Sequence, residues 1–261
     1  MSRPARLDYA YSVGRVRALE RFLIRQAVFR EAAGTADAAA ALKLLSDAGR
    51  YPDGLARVRN SDELEALLGA EEEALRREMA ELILERNVLD AYRFGFDPEK
   101  ALAASAESGY PFLEGHVRLG IDLGNIKVLL RAKVLGLSRE KLEARLVEGG
   151  AVSRRRIIDL FSLALPEIAG ALPSSVCCVL WEDGVKALVE RETFVPLERG
   201  IEDCLMKDLR RARSIVFGPE PVYAYGLAKK KEIALVRLVG VGRMLSLPAE
   251  LLRERISETY V

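Results

Sequence analysis

Along most of the chain the apolar positions recur every three or four residues, and alternating apolar and polar runs of the strand type are absent. Leu64, Leu67, Leu68, Leu75, Met79, Leu82 and Ile83 form one such stripe, which predicts a helix from about Asp62 to Tyr92, with Gly69 as a point of division. The same reading predicts a helix over Ala10 to Ala33 with a basic face of Arg15, Arg17, Arg21 and Arg25. Another covers Ala36 to Ala48 and stops at Gly49 before a Tyr51-Pro52-Asp53-Gly54 turn. Asn60 and Glu63 have the spacing of a capping box, and Asp97-Pro98 is a cap followed by a proline where the missing N–H costs nothing. Tyr110-Pro111 opens a long helix that ends near Gly136. Ser138 caps a short one, and Ser153 opens a further one. In the last third, an amphipathic helix is expected around Ile201 to Ile215 and a long one from about Pro221. A terminal helix is opened by Pro248. The fold class is therefore all-α.

The two long-then-short helix pairs resemble one another. LGLSREKLEARL from Leu135 and LSLPAELLRERI from Leu245 align directly, Leu137 with Leu247, Leu142 with Leu252, Arg145 with Arg255 and Leu146 with Ile256. Lys133 meets Arg243, and Arg131 is matched with Arg237 by inserting four residues. No linker rich in Gly, Pro or Ser separates the copies, which implies related helical units packed side by side.

Composition narrows the function. Half of the 261 residues are apolar, enough for a sizeable core, and aromatics are 7%. Forty Lys and Arg stand against 39 Asp and Glu, which excludes a general polyanion binder of the nucleic-acid type. Cys177, Cys178 and Cys204 fit neither a disulfide framework nor a zinc knuckle, and a reducing, cytoplasmic setting is expected. MSRPARLDYAYS has no apolar signal region. The longest apolar stretch, LFSLALPEIAGALPSSVCCVLW, carries Pro166, Glu167 and Pro173, so a pair of buried helices is expected in place of a membrane span.

The chemistry-bearing residues point to structure more than to catalysis. Asp122, Asn125, Lys127, Arg131 and Lys133 share one helix, but no nucleophile or tuned acid-base pair accompanies them. Asp122 and Asn125 are expected to satisfy backbone or neighbouring-helix donors where units meet, and Arg131 and Arg237 to pair with carboxylates across such joints. His116, the one histidine, has no ligand-spaced companions, so no metal is expected, and a surface or capping place is assigned to it. Glycines 14, 120, 124, 240 and 242 fit no phosphate-cradling pattern; Gly240 and Gly242 suit a close helix contact or bend. No cofactor is expected. The runs Arg154-Arg155-Arg156 and Lys229-Lys230-Lys231 read as exposed clusters. From these and the first basic face, Arg15, Arg154, Arg155 and Lys229 are candidate positions for contact with an acidic partner surface.

Three segments in order, YAYSVGRVRALERFL, DLGNIKVLLRAKVLGLS and GPEPVYAYGLAKKKEIALVRLVGVGRMLSLPAELLRERISETYV, resemble the C subunit of the prokaryotic V/A-type ATPase, the equivalent of the d subunit of the eukaryotic V-ATPase. The resemblance runs from about Tyr9 to Tyr260. It implies three similar helical units around a pseudo-threefold axis in a funnel, here divided as 1–69, 70–152 and 153–261 with the first shortened. It also implies a non-catalytic central-stalk role: a socket on the cytoplasmic face that joins shaft subunits of the D and F type to the membrane rotor ring of proteolipid subunits. Such a protein is peripheral to the membrane and binds no nucleic acid. The other reading is a helical-repeat scaffold for an unrelated cytoplasmic assembly, which would share the fold style but use a peptide groove.

Overall fold

The computed structural model describes residues 3–49, 51, 54–172 and 178–261, with the backbone alone for 178–181. Helices are the regular elements throughout these residues. In chain order they are α1 (Ala10–Glu20), α2 (Gln26–Ala33), α3 (Ala38–Ala48), α4 (Ser61–Leu82), α5 (Arg86–Arg93), α6 (Pro98–Ser108) and α7 (Pro111–Val134). There follow α8 (Arg139–Glu143), α9 (Arg154–Leu160), α10 (Leu165–Ala171), α11 (Cys178–Arg191), α12 (Val195–Leu209), α13 (Glu220–Met244) and α14 (Ala249–Arg255). Among the described residues, no helix is long and apolar enough to cross a membrane.

Local chemistry sets most helix starts. Asp37, Asn60, Asp97, Ser138 and Ser153 each accept a hydrogen bond from a backbone N–H in the first turn they precede. At α4 the box is skewed. Asn60 Oδ1 accepts from Glu63 N–H, while the Glu63 carboxylate reaches back one residue further, to Arg59 N–H at 2.8 Å. Of the expected Tyr51 to Gly54 turn, Pro52 and Asp53 lie outside the described residues, as do Pro173 and Cys177 in the apolar stretch that holds α10 and α11.

Three boundaries depart from the periodicity. The helix expected to run from Ala10 to Ala33 breaks after Glu20, because Ile24 N–H donates to the Glu232 carboxylate at 2.5 Å and Gln26 N–H to Thr259 Oγ1 at 3.0 Å. The stripe expected to continue to Tyr92 ends at Leu82, where Leu84 N–H donates to the Tyr9 hydroxyl at 3.1 Å. Gly69, by contrast, does not interrupt α4. The helix expected around Ile201 to Ile215 stops at Leu209 and continues as a tighter turn over Arg210–Ser214. In the first two cases side chains distant in sequence capture amide hydrogens that an uninterrupted helix would keep for itself.

Two compact units result: residues 1–89 with 209–261, and residues 90–208. The first is built on α13, against which α1, α2, α3 and α4 pack. Pro221, Val222, Tyr223, Ala224, Tyr225 and Gly226 are all buried, so the first turns of α13 are enclosed all round, while Ala234 further on is exposed. A Cβ added at Gly240 would lie 2.7 Å from Leu64 Cδ2, and one at Gly242 2.3 Å from Leu252 Cδ2, which accounts for both glycines as close helix contacts. The second unit is built on α7. Leu123, Ile126, Leu129 and Leu130 form one core with Leu142 of α8, Ile157 and Leu160 of α9, Ile168 of α10 and Leu188 of α11.

Candidate functional site

The centre of each unit is one long helix, and the two are copies. In the register that joins Leu135 to Leu245, and without any insertion, Pro111 of α7 matches Pro221 of α13, Leu123 matches Ile233, Ile126 matches Val236, Leu129 matches Val239, and Leu142 matches Leu252. Each apolar pair after the prolines is buried. The four-residue insertion inferred from sequence is therefore corrected. Arg237 occupies the place of Lys127, and Arg131 is matched by Val241.

Both helices end in the same hydrogen-bonded turn. After α7, Gly136 takes a left-handed φ of 61°, its N–H donates to Lys133 C=O, and Leu137 N–H donates to Ala132 C=O at 2.9 Å. After α13, Ser246 takes φ 56°, its N–H donates to Arg243 C=O, and Leu247 N–H donates to Gly242 C=O at 2.9 Å. These are two complete Schellman caps. The last-turn cations match as well: Lys133 donates to Phe161 C=O, and Arg243 donates to the carbonyls of Thr35 and Ala36.

At the middle of each helix sits a buried carboxylate, and here the copies diverge. Asp122 accepts from the backbone N–H of Ala151 at 3.0 Å and of Val152 at 2.9 Å. Asn125, one turn on, exchanges two hydrogen bonds with the backbone of Val147. Together they fasten residues 147–152 along α7 within one unit. The loop can lie this close because residue 150 is glycine: a Cβ there would meet Asp122 Oδ1 at 2.0 Å. Burial pushes the Asp122 carboxyl above its ordinary pKa, against the pull of its two N–H donors and of Arg118.

The equivalent carboxylate, Glu232, does not stand out as a site residue in the sequence. It accepts from Ile24 N–H, from the Tyr51 hydroxyl at 3.1 Å and from Lys229 Nζ at 2.5 Å. Burial, with Glu232 beside it, pushes the Tyr51 phenol well up, so it stays a donor. Lys229 is thus not part of an exposed cluster: it is 8% exposed, paired with Glu232, and 4.2 Å over the Tyr51 ring. A signal for Glu232 was available, since the register that joins Leu135 to Leu245 also joins Asp122 to Glu232.

Arg131 and Arg237, expected at joints between units, each meet carboxylates inside their own unit. Arg131 meets Glu198 of α12 at 2.5 Å and lies over the Phe194 ring, and Lys127 reaches the same Glu198 oxygen at 3.1 Å. Arg237 meets Glu65 at 2.9 Å and Glu72 at 3.0 Å, both on α4. His116 is buried, not on the surface: its Nδ1 is 2.9 Å from Asp208, and its ring stacks on Phe112. Arg154 donates to Glu143 C=O and lies 3.4 Å from Glu148, an arrangement that offsets the cost of a cation at the start of α9. Arg155 is exposed and has no hydrogen-bond or ion-pair partner among the described residues. Arg15 pairs with Glu78 at 3.0 Å and, with Lys229, lines a cleft of about 570 Å³ that also takes in Tyr51, Tyr225 and Glu71.

The polar groups of this framework hold backbone segments and helices to the two long copies. A family model described as the ATP synthase (C/AC39) subunit matches residues 98–255, from the start of α6 to the end of α14. The chain belongs to that family. Both copies of the long helix fall inside the match, which agrees with the resemblance carried by the second and third sequence segments. The C subunit of the A-type ATP synthase of Desulfurococcus sp. (strain SY) is 30% identical over 132 residues, covering 49% of this chain and 34% of that protein. The alignment thus spans about a third of that relative's length.

Proposed function

We propose that this member of the ATP synthase (C/AC39) subunit family is a non-catalytic central-stalk component, which couples the shaft subunits of a rotary V/A-type ATPase to its proteolipid rotor ring. The observation that carries the reading is the family match across both helical copies. The architecture supports it. The buried carboxylates and the paired arginines brace helices and loops, as a part that transmits torque requires, since packed, hydrogen-bonded elements move as bodies. In this reading the chain lies peripherally at the cytoplasmic face and serves ATP-linked proton or sodium transport through the complex. Among the partner-contact candidates, Arg155 offers an unengaged cation, whereas Lys229 is occupied inside its own unit.

The test is size-exclusion chromatography of the full chain mixed with the D- and F-type shaft subunits and, separately, with the detergent-solubilised rotor ring. Co-elution with either at low salt is expected. Separation from both, with helicity confirmed by circular dichroism, would overturn the proposal.

A further inference from the structure

The basic face of the first helix is not continuous, and the break that divides it makes a second, separate cleft. Arg17 lies on α1, Arg21 and Arg25 on the link to α2, and Arg213 on the Arg210–Ser214 turn; all four line a cavity of about 500 Å³. Arg17 fixes its geometry. Its Nη1 donates to Glu20 at 2.8 Å, and its Nη2 donates to the carbonyls of Ala212, Arg213 and Ile215 at 3.0, 2.9 and 3.1 Å. The turn is thereby held against α1, and Arg213 stays nearby, 5.9 Å over the Tyr260 ring.

Among the described residues, four arginines line the cavity, and Glu20, already bound by Arg17, is the one acidic side chain in its lining. Val261 lines it as well, and its main-chain oxygen accepts from Thr259 Oγ1 at 3.0 Å. Arg21 and Arg25 are exposed, and no hydrogen bond or ion pair engages their guanidinium groups among the described residues. Like charges gathered in a concave site repel one another unless an anion joins them, and guanidinium forks match phosphate oxygens in pairs. The cavity volume holds about one turn of an α-helix with its side chains, so a compact group fits where a partner helix does not. Leu23 and Ile24 give it an apolar wall.

We propose that this cleft binds a compact multivalent anion, a diphosphate or phosphate-ester group, through Arg21, Arg25 and Arg213, with Arg17 as the positioning residue. The cleft lies within one unit, and the proposal does not depend on the stalk role. No glycine-rich loop is involved.

The full chain is titrated calorimetrically with sodium pyrophosphate at low salt, and separately sedimented with vesicles of phosphatidylglycerol or of phosphatidylcholine. Saturable one-site binding of pyrophosphate identifies a soluble phosphate ligand. Binding confined to the phosphatidylglycerol vesicles assigns the same site to a lipid headgroup. In either case the R21Q/R25Q variant, whose side chains hold nothing in the fold, should lose at least about tenfold in affinity, because each charge-assisted hydrogen bond removed is worth about that factor. R77Q, a change at an exposed arginine of the Tyr51 cleft, should lose nothing. No saturable binding to either probe, or an equal loss in R77Q, would overturn the proposal.

Discussion

Asp122 and Glu232 occupy the same place on two copies of one helix, are equally buried, and do different work. Asp122 binds a loop that follows its own helix closely in the chain, where Asn125 shares the task by holding Val147. Glu232 gathers Ile24 and Tyr51, 208 and 181 residues away, onto α13. A repeat keeps the position of a charge because the helix register keeps it, while the partner is decided by whatever chain packs alongside. The second arrangement closes far longer loops, but closure entropy grows only logarithmically with loop length, so the extra cost is small beside the burial and hydrogen bonding that follow.

The comparison breaks most visibly at Glu232. Glu232→Ala leaves Lys229 buried and unpaired, and a loss of about 3 to 5 kcal/mol is expected in urea unfolding. Adding Lys229→Met should recover much of it, and failure of the double variant to recover would show that Glu232 acts mainly through Ile24 and Tyr51. In the other copy, Asp122→Ala strips the acceptor from two backbone N–H groups, at about 1 to 3 kcal/mol. Hydrogen exchange should then speed up at Ala151 and Val152 and leave Ile24 unchanged. Exchange that rises equally at both places would mean the two anchors are not independent.

The caps sharpen the same contrast at smaller scale. Ser246 holds a left-handed backbone that Gly136 adopts freely, so Ser246→Gly should stabilise by about 1 kcal/mol and Gly136→Ala destabilise by a similar amount. A Cβ at Gly136 meets nothing within 4 Å, so the second effect isolates backbone strain. Shifts of the same sign in both variants would refute the equivalence of the two turns.

The last contrast lies in pH dependence. Burial, with Arg76 nearby, pushes Lys230 down to about 8, against the pull of Glu72. Between that value and the ordinary 10.5 the native state binds fewer protons than the unfolded chain, so stability gains as pH rises through the window. In Lys230→Gln this gain should be absent, and parallel stability curves for the two proteins would remove Lys230 from the account.

Helix class, most starts and the duplication were legible in the sequence, because caps, proline positions and apolar spacing act over one or two turns. Asn60, Asp97, Ser138 and Ser153 sit where their short-range chemistry puts them. The candidate site was legible only in outline. Asp122, Asn125, Arg131 and Arg237, expected where units meet, each bond inside one unit, and Lys229, one of three successive lysines, turns inward because Glu232 lies one turn further on and Tyr51 covers it. His116 went inward to Asp208 for the same reason, a partner 92 residues away that spacing does not reveal.

By itself, then, the sequence determined the all-helical class, the presence of two copies, and family membership, all of which reside in local spacing and residue order. Tertiary structure alone decided where α1 and α4 stop, since amide hydrogens of Ile24 and Leu84 go to Glu232 and Tyr9. It also decided which cations are consumed by partners and which stay available. A charge in a sequence has a sign, and only the chain folded beside it supplies the counterpart that sets its use.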